Sequence, residues 1–320
     1  MQLQPVPAQH RQTNYIPSPL LDPPVVLPLP SWTSDIDEAK SHLSEYGMCV
    51  LTDVLASDEI DQLRHALERQ SDAERLLDSQ APPGANSNRQ SISNLVNKGK
   101  VFLDLVEHSV SDNLAGFLLG KSFLLSSITG NLCRAPVEEP QPLHRDQGYV
   151  PATVDFPAAC NLLWCLDDFC PENGGTCVVP GSHRWHAEFQ VKPPPRELSV
   201  QITAPVGSVF AWDGRVWHGY GPNETGEPRR AVITYYCLPW VRQQENWGIS
   251  CLQEVLDEAS PKLRNRMGLH TYGTLGGISG TRTTTTATKA YLGNYDVELP
   301  SHIIGEAGKL HRLRRVSRID

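Results

Sequence analysis

Residues 207–236 read Gly207-Ser-Val-Phe-Ala-Trp-Asp-Gly-Arg-Val-Trp-His-Gly-Tyr-Gly-Pro-Asn-Glu-Thr-Gly-Glu-Pro-Arg-Arg-Ala-Val-Ile-Thr-Tyr-Tyr236. An apolar strand ends at a histidine, a polar turn rich in Gly and Pro reverses the chain, and a second strand opens with arginine. The spacing predicts that Arg229, eleven residues after His218, returns beside it across a hairpin. Strand alternation turns Arg230 to the opposite face, so only one of the two arginines can serve the histidine's site. Outward from this stretch, short apolar runs fill 123–133, 142–150, 159–166, 175–180, 198–204, 207–212 and 229–238, separated by Gly, Pro and Asn. About six to eight short strands punctuated in this way point to an antiparallel sandwich or jelly-roll barrel, not to βαβ units.

The flanks are helical, which makes the chain mainly β with flanking helices (α+β). Ser34 reads as an N-cap, with Asp35, Asp37 and Glu38 in a first turn that favours acids, and the helix runs to Tyr46 before Gly47. Met48–Thr52 reads as a short strand, and Ser57 caps a second helix with Ile60, Leu63, Ala66 and Leu67 on one stripe. Residues 78–94 form a loop, and 101–119 carry a further helical stripe. After the strands come Cys251–Glu258 and Pro261–Met267 as helices, a Gly/Thr-rich loop, and a basic end at 311–318. The chain divides into a Pro-rich arm (1–31), loose or laid across the body or a partner subunit, one large domain (32–275; helical 32–120, jelly-roll core 121–240), and a tail (276–320).

Composition narrows the function. A net charge of −8 argues against a nucleic-acid partner. No apolar run reaches membrane-spanning length, and the N-terminus lacks a charged-then-apolar leader pattern. Cys49, Cys133, Cys160, Cys165, Cys170, Cys177, Cys237 and Cys251 contain no C-x-x-C pair and lie in apolar runs. They read as reduced core thiols of a cytoplasmic protein.

The chemistry centres on Gln141-Pro-Leu-His-Arg-Asp-Gln-Gly-Tyr-Val150. If this stretch is a strand, His144 and Asp146 share a face and supply two ligands of a 2-His-1-carboxylate triad, which favours non-haem Fe(II) and leaves positions open. Composition alone supplies about half a His-x-Asp per chain of this kind, so a surface turn with a salt-bridging Asp is the competing reading. His218 completes the triad. A guanidinium beside iron, here Arg229, is what 2-oxoglutarate needs: the keto acid chelates through its 1-carboxylate and 2-oxo group, and its far carboxylate calls for a bidentate cation. An ordinary strand-edge charge is the alternative for Arg229, and Arg89 is a second cation with the weaker claim. His183 and His186, a His-x-x-His pair poorly aimed on a strand, read as non-ligands.

Three stretches taken in order, Gln141-Pro-Leu-His-Arg-Asp146, Asn173-Gly-Gly-Thr-Cys-Val-Val-Pro-Gly-Ser-His183 and His218-Gly-Tyr-Gly-Pro-Asn-Glu-Thr-Gly-Glu-Pro-Arg229, resemble the phytanoyl-CoA dioxygenase (PhyH) family of Fe(II)/2-oxoglutarate-dependent oxygenases. The resemblance spans roughly residues 35–275. It implies a double-stranded β-helix (jelly-roll, cupin-like) core, His144, Asp146 and His218 on iron, and Arg229 rather than Arg230 on 2-oxoglutarate. It places His183 in a structural turn. Gln141 and Thr176 match positions that touch the co-substrate in the natural-product branch; a strand-end polar residue and a plain strand threonine are the alternatives. The implied reaction oxidises an unactivated C–H bond of a small, largely apolar molecule by hydroxylation, desaturation or rearrangement, with O2 consumed and succinate and CO2 released. Asp146 retains the carboxylate that halogenating relatives lack, so halogenation is not expected. The arm, with Gln141 and Thr176, resembles fungal secondary-metabolite members, which are often homodimers, and a homodimer is expected here. Tyr149, Trp212, Trp217 and Tyr220 are candidates to line the pocket, part of them being core. The other readings are an acyl-CoA or amino-acid hydroxylase of the same family, a keto-acid-independent dioxygenase on the same barrel, and a non-catalytic ligand-binding module.

Overall fold

A computed structural model describes residues 15–22, 24–77, 87–134, 137 and 139–276. Helix α1 (Ile36–Tyr46) starts one residue later than the Ser34 cap predicts, because the Asp35 carboxylate accepts from both Asp37 and Glu38 N–H. Gly47, at φ 77°, ends it in the left-handed region. Strand β1 (Met48–Leu51) follows, then α2 (Ser57–Arg75). The cap position of α2 is Ala56 rather than Ser57, and its N–H is held by the Glu59 carboxylate at 2.8 Å. After β2 (Arg89–Ile92), the single stripe expected over 101–119 splits into α3 (Lys100–Glu107) and α4 (Ser109–Leu119). His108 sits extended between them, and its Nδ1 accepts from Val110 N–H, so it caps the second helix at the cost of continuity.

The strands that follow are β3 (Leu124–Cys133), β4 (Ala159–Cys165), β5 (Thr176–Val178), β6 (Val200–Gln201), β7 (Val209–Asp213), β8 (His218–Tyr220) and β9 (Arg229–Cys237), with short helices α5 (Trp247–Ser250), α6 (Gln253–Glu258) and α7 (Pro261–Arg266) after them. They form a six-stranded sheet, β1-β7-β4-β9-β3-β2, and a three-stranded sheet, β6-β5-β8, antiparallel throughout. This is the expected jelly-roll architecture, with open rather than closed sheets. Two expectations need correction. The run 142–150 is no strand: His144 makes one antiparallel bridge, to His218, and the chain then turns at 146–149. Nor do His218 and Arg229 face each other across a hairpin, because β7 ends at Asp213 and β8 belongs to the smaller sheet.

Period-2 alternation divides the central strands between two cores. Cys160, Leu162 and Trp164 of β4, Val209 and Ala211 of β7, and Val232 and Tyr236 of β9 join the helices in one large cluster. Leu163, Cys165, Phe210, Trp212 and Ala231 point the other way, into a cluster completed by Val178 and Ile202 of the smaller sheet. With both faces covered, β4 is buried along its whole length, which explains its unbroken apolar run. Helix α2 comes so close to β3 that a Cβ on Gly130 would meet Leu67 Cδ1 at 2.1 Å.

The corner between β7 and β8 is fixed by a buried ion pair. Arg215 Nη2 donates to Asp213 Oδ2 at 2.7 Å and to the Tyr15 hydroxyl at 3.0 Å, and Asp213 N–H reaches Gly47 O at 2.9 Å. Burial alone would raise Asp213; Arg215 overrides it and holds the carboxyl below its usual range. His183 lies against this corner, as the structural turn expected of it, with Nε2 3.2 Å from Ser44 O. The described part of the arm is laid across the body: Leu21 bridges Trp185, and Leu27 N–H bonds Pro180 O. All eight cysteines are free, as expected, and all but Cys170 are buried. Among the described residues no helix is long and apolar enough to cross a membrane. The basic stretch 311–318 lies outside the described residues.

Two stability measurements follow from this packing. Gly130→Ala should cost about 1–3 kcal/mol through overpacking against Leu67. In a Leu67→Ala background, urea unfolding should show that cost shrink or reverse, because the new methyl enters the vacated space; strictly additive values would contradict the contact. Burial pushes the His183 imidazole down to about 4 from its ordinary 6.5. The unfolded chain therefore takes up the proton first, and stability present at neutral pH is lost as pH falls from 6.5 toward 4. Between pH 7 and pH 4.5 wild type should lose about 2–3 kcal/mol more than His183→Gln; equal losses would overturn this.

Candidate active site

The single bridge between His144 and His218, with N–H···O bonds of 2.8 and 3.0 Å, sets the two imidazoles side by side with centroids 4.3 Å apart. The turn that follows brings Asp146 back to them. Its Oδ2 lies 3.2 Å from His218 Nε2 and its Oδ1 3.6 Å from His144 Nε2. One ligand atom from each residue falls within 4.8 Å of the others, and this is the one such cluster of three among the described residues. The expected triad therefore assembles, by a bridge and a turn rather than by strand pleat.

The surroundings set the donor atoms. His144 Nδ1 lies 3.2 Å from Pro142 O and His218 Nδ1 3.0 Å from Val216 O. Carbonyls only accept, so each Nδ1 carries a proton and each Nε2 is the atom turned to Asp146, free to ligate a metal once it carries no proton. Burial, and then His218, lower His144; burial would also lower His218, but the Asp146 charge outweighs it and raises it. For Asp146, burial would raise the carboxyl, yet the imidazoles and the Trp212 indole hold it below its usual range. Asn161 Nδ2 and Trp212 Nε1 donate to its Oδ2 at 2.6 and 3.1 Å, and the Tyr235 hydroxyl donates to its backbone carbonyl at 3.0 Å. Two imidazole nitrogens and one ionised carboxylate form a donor set suited to a divalent metal with open positions. The sequence reading missed Asn161 and Tyr235. A signal existed for Asn161, an amide inside an apolar strand, since a buried amide needs a partner.

The cations sit along one cross-strand row, Arg89↔Cys133↔Arg229. Arg229 is buried, donates from Nη1 to Gly174 O, and lies 4.9 Å from the Phe169 ring. Arg89 donates to Gly221 O at 2.8 Å and lies over Tyr220 at 3.7 Å. Neither forms an ion pair among the described residues, and burial, then Arg89, press Arg229 below its ordinary value. Arg230 instead pairs with Glu68 and Asp167, on the opposite face as alternation requires. Thr176 pairs with Tyr220 across β5 and β8, and Gln141 N–H bonds Tyr220 O. Gln141, His144, Asp146, Thr176, His218, Arg229 and Arg89 all line one cavity of about 300 Å³ between the sheets. Of the four aromatic candidates, Trp212 and Tyr220 line it, Trp217 packs on Leu143, Val179 and Trp185, and Tyr149 stands exposed. His183 and His186 stay outside the cluster.

Residues 43–231 match the family described as phytanoyl-CoA dioxygenase (PhyH). The chain is 30% identical over 246 residues to the dioxygenase af480 of Aspergillus fumigatus, covering 75% of this chain and 79% of that one. Among solved structures, EctD from S. alaskensis with 2-oxoglutarate and 5-hydroxyectoine aligns with a TM-score of 0.54 and 22% identity, over 72% of this chain and 86% of that one. The non-heme alpha ketoglutarate dependent epimerase SnoN from nogalamycin biosynthesis aligns with a TM-score of 0.51 and 20% identity, over 64% and 83%. These two share the fold. The sequence matches carry the assignment further: the chain belongs to the phytanoyl-CoA dioxygenase family of Fe(II)/2-oxoglutarate-dependent oxygenases.

Proposed function

We propose that this dioxygenase holds Fe(II) on His144, Asp146 and His218 and 2-oxoglutarate against Arg229. In this reading it oxidises a C–H bond of a small, largely apolar molecule in secondary-metabolite biosynthesis, as a cytoplasmic homodimer. The oxygenase unit is residues 32–275, which contain the family match at 43–231. One observation carries the assignment: two Nε2 atoms and a carboxylate converge at a cavity that also receives two guanidinium groups with no acidic partner among the described residues. The natural-product setting draws support from the fungal relative and from the nogalamycin epimerase, and the co-substrate from EctD. Eight free thiols suit a reducing compartment.

When bound, the metal supplies the redox chemistry that couples O2 reduction to loss of CO2 from the keto acid. The chain's own share is placement. Pro142 O and Val216 O put a proton on each Nδ1, while Asn161 and Trp212 orient Asp146 by donating to its Oδ2. Arg229 takes the far carboxylate of the keto acid, with Arg89, Thr176 and Gln141 around it. Leu163, Phe169 and Ile233 give the cavity apolar walls that exclude water.

Under anaerobic conditions, Fe(II) and 2-oxoglutarate together should give a weak charge-transfer band near about 500–530 nm. Losing a charged hydrogen-bonding partner costs about 1.5–3 kcal/mol. Arg229→Ala should therefore raise the 2-oxoglutarate concentration for half the band by at least about tenfold. Bound iron with no band would sink the co-substrate assignment. Asn161→Leu should weaken Fe(II) binding by about 10–100-fold in direct titration, and an unchanged affinity would remove it as an orienter of Asp146.

A further inference from the structure

The cavity has a second end that neither the metal nor the keto acid uses. Counting inward along β9 from Arg229 come Ala231, Ile233 and Tyr235, so Tyr235 lies about 20 Å of strand from the cations. On β3 its partner is Ser127, and a β-bulge between Leu125 and Ser127 breaks the register just there. Bulges beside active sites re-aim side chains. This one presents two consecutive serines to Gln244: Ser126 Oγ accepts its backbone N–H at 3.0 Å, and Ser127 Oγ donates to its Oε1 at 2.7 Å. Gln243 and Trp247 side chains bond Leu125 O at 2.6 and 2.8 Å, and Glu245 N–H bonds Ser126 O, so Gln244 stands on a braced segment.

The hydrogen bonds run in one direction. Gln244 Nε2 donates to the Tyr149 hydroxyl at 3.1 Å, and Tyr235 donates its proton to Asp146 O. The 3.0 Å contact between the two hydroxyls must therefore be donated by Tyr149. Both tyrosine protons are committed. What remains toward the cavity is acceptor capacity on Ser127 and Tyr235 and one N–H on Gln244. That pattern fits a hydroxyl, which donates and accepts, or a carbonyl, which takes the amide N–H. It offers nothing to a charge: apart from Arg89, Arg229 and the triad, the cavity lining holds no Asp, Glu, Lys, Arg or His among the described residues.

We infer that Ser127 and Gln244 are specificity-determining residues, and that the substrate is an uncharged, oxygen-bearing hydrocarbon scaffold rather than a carboxylate, an ammonium or a CoA ester. Its hydroxyl or carbonyl group docks on Ser127 and Gln244, and its hydrocarbon body lies on Ile233 and Leu163. The inference rests on the proposed function and narrows its substrate class.

The test uses the full chain with Fe(II) and 2-oxoglutarate, without O2, and reads the perturbation of the charge-transfer band. The probes are a set of neutral steroid and terpenoid alcohols, testosterone among them, the sulfate esters of the same alcohols, and palmitoyl-CoA. Neutral alcohols should perturb the band, and their sulfate esters should bind at least about tenfold more weakly. Ser127→Ala and Gln244→Leu should each weaken the alcohols about fivefold or more, while half-saturation by 2-oxoglutarate moves less than about twofold. The inference is overturned if sulfate esters or palmitoyl-CoA bind as tightly as the alcohols, if no alcohol perturbs the band, or if neither substitution weakens any probe. Absence of the band itself is a different result: it removes the co-substrate assignment, and the inference falls with it.

Discussion

Asp146 is a carboxylate set between two imidazoles, under an indole N–H and a carboxamide, and the order of the surrounding elements follows from keeping it charged there. Moving a carboxylate out of water costs several kcal/mol unless partners replace the lost solvation. Here the partners come from separate places in the chain: Asn161 from β4, Trp212 from β7, His218 from β8 and His144 from the bridge. Asn161 and Trp212 are cross-strand neighbours, so both amide and indole reach the same oxygen only if β4 and β7 pair in that register. A slip of one residue between them would turn one of the two side chains to the helix face and take a donor from the carboxylate. The site therefore constrains the sheet as firmly as the sheet constrains the site.

The second constraint is the crossing between sheets. His218 belongs to the smaller sheet and its orienting residues to the larger, so the chain has to change sheets within the few residues after Asp213. The Asp213–Arg215 pair makes that possible, and Tyr15 of the N-terminal arm closes over it. Such a buried pair contributes little net stability compared with apolar packing, but losing one partner strands a charge. Its value lies in fixing one path for the corner, and hence one position for the His218 ring.

Residue chemistry was legible in the sequence where the chemistry allows few residue types. His144, Asp146, His218 and Arg229 stand out because the proposed metal and keto acid would demand imidazole, carboxylate and guanidinium, and strand alternation lets only one of Arg229 and Arg230 face the site. Strand count and the jelly-roll class followed from short apolar runs broken by Gly, Pro and Asn. What sequence did not disclose depends on partners distant in the chain. The apparent hairpin at 207–236 is three strands in two sheets, with the crossing after Asp213 fixed by an ion pair whose members look like ordinary turn residues. The break at His108 depends on a side chain capping its own following turn, which the apolar stripe hides. Asp35 displaces Ser34 as a cap by accepting two N–H groups at once, a difference of one residue that propensity does not resolve.

Charge within the cavity sets an order of events. The protein supplies two guanidiniums and one carboxylate to this space, so its own balance is positive even before a divalent metal enters. Arg229 registers the excess, pressed down by burial and by Arg89. A dianionic keto acid bound as proposed would relieve it twice over, with one carboxylate near the metal and the other at the guanidiniums, so that each charge it brings would have a counter-charge. A second anion arriving afterwards would find these cations already occupied and Asp146 beside it. An uncharged scaffold meets no such opposition, and the far end of the cavity offers it neutral hydrogen-bonding groups. For the proposed keto acid and the proposed neutral substrate, electrostatics thus favours binding in that order, so that the substrate would enter a site whose charges are already matched.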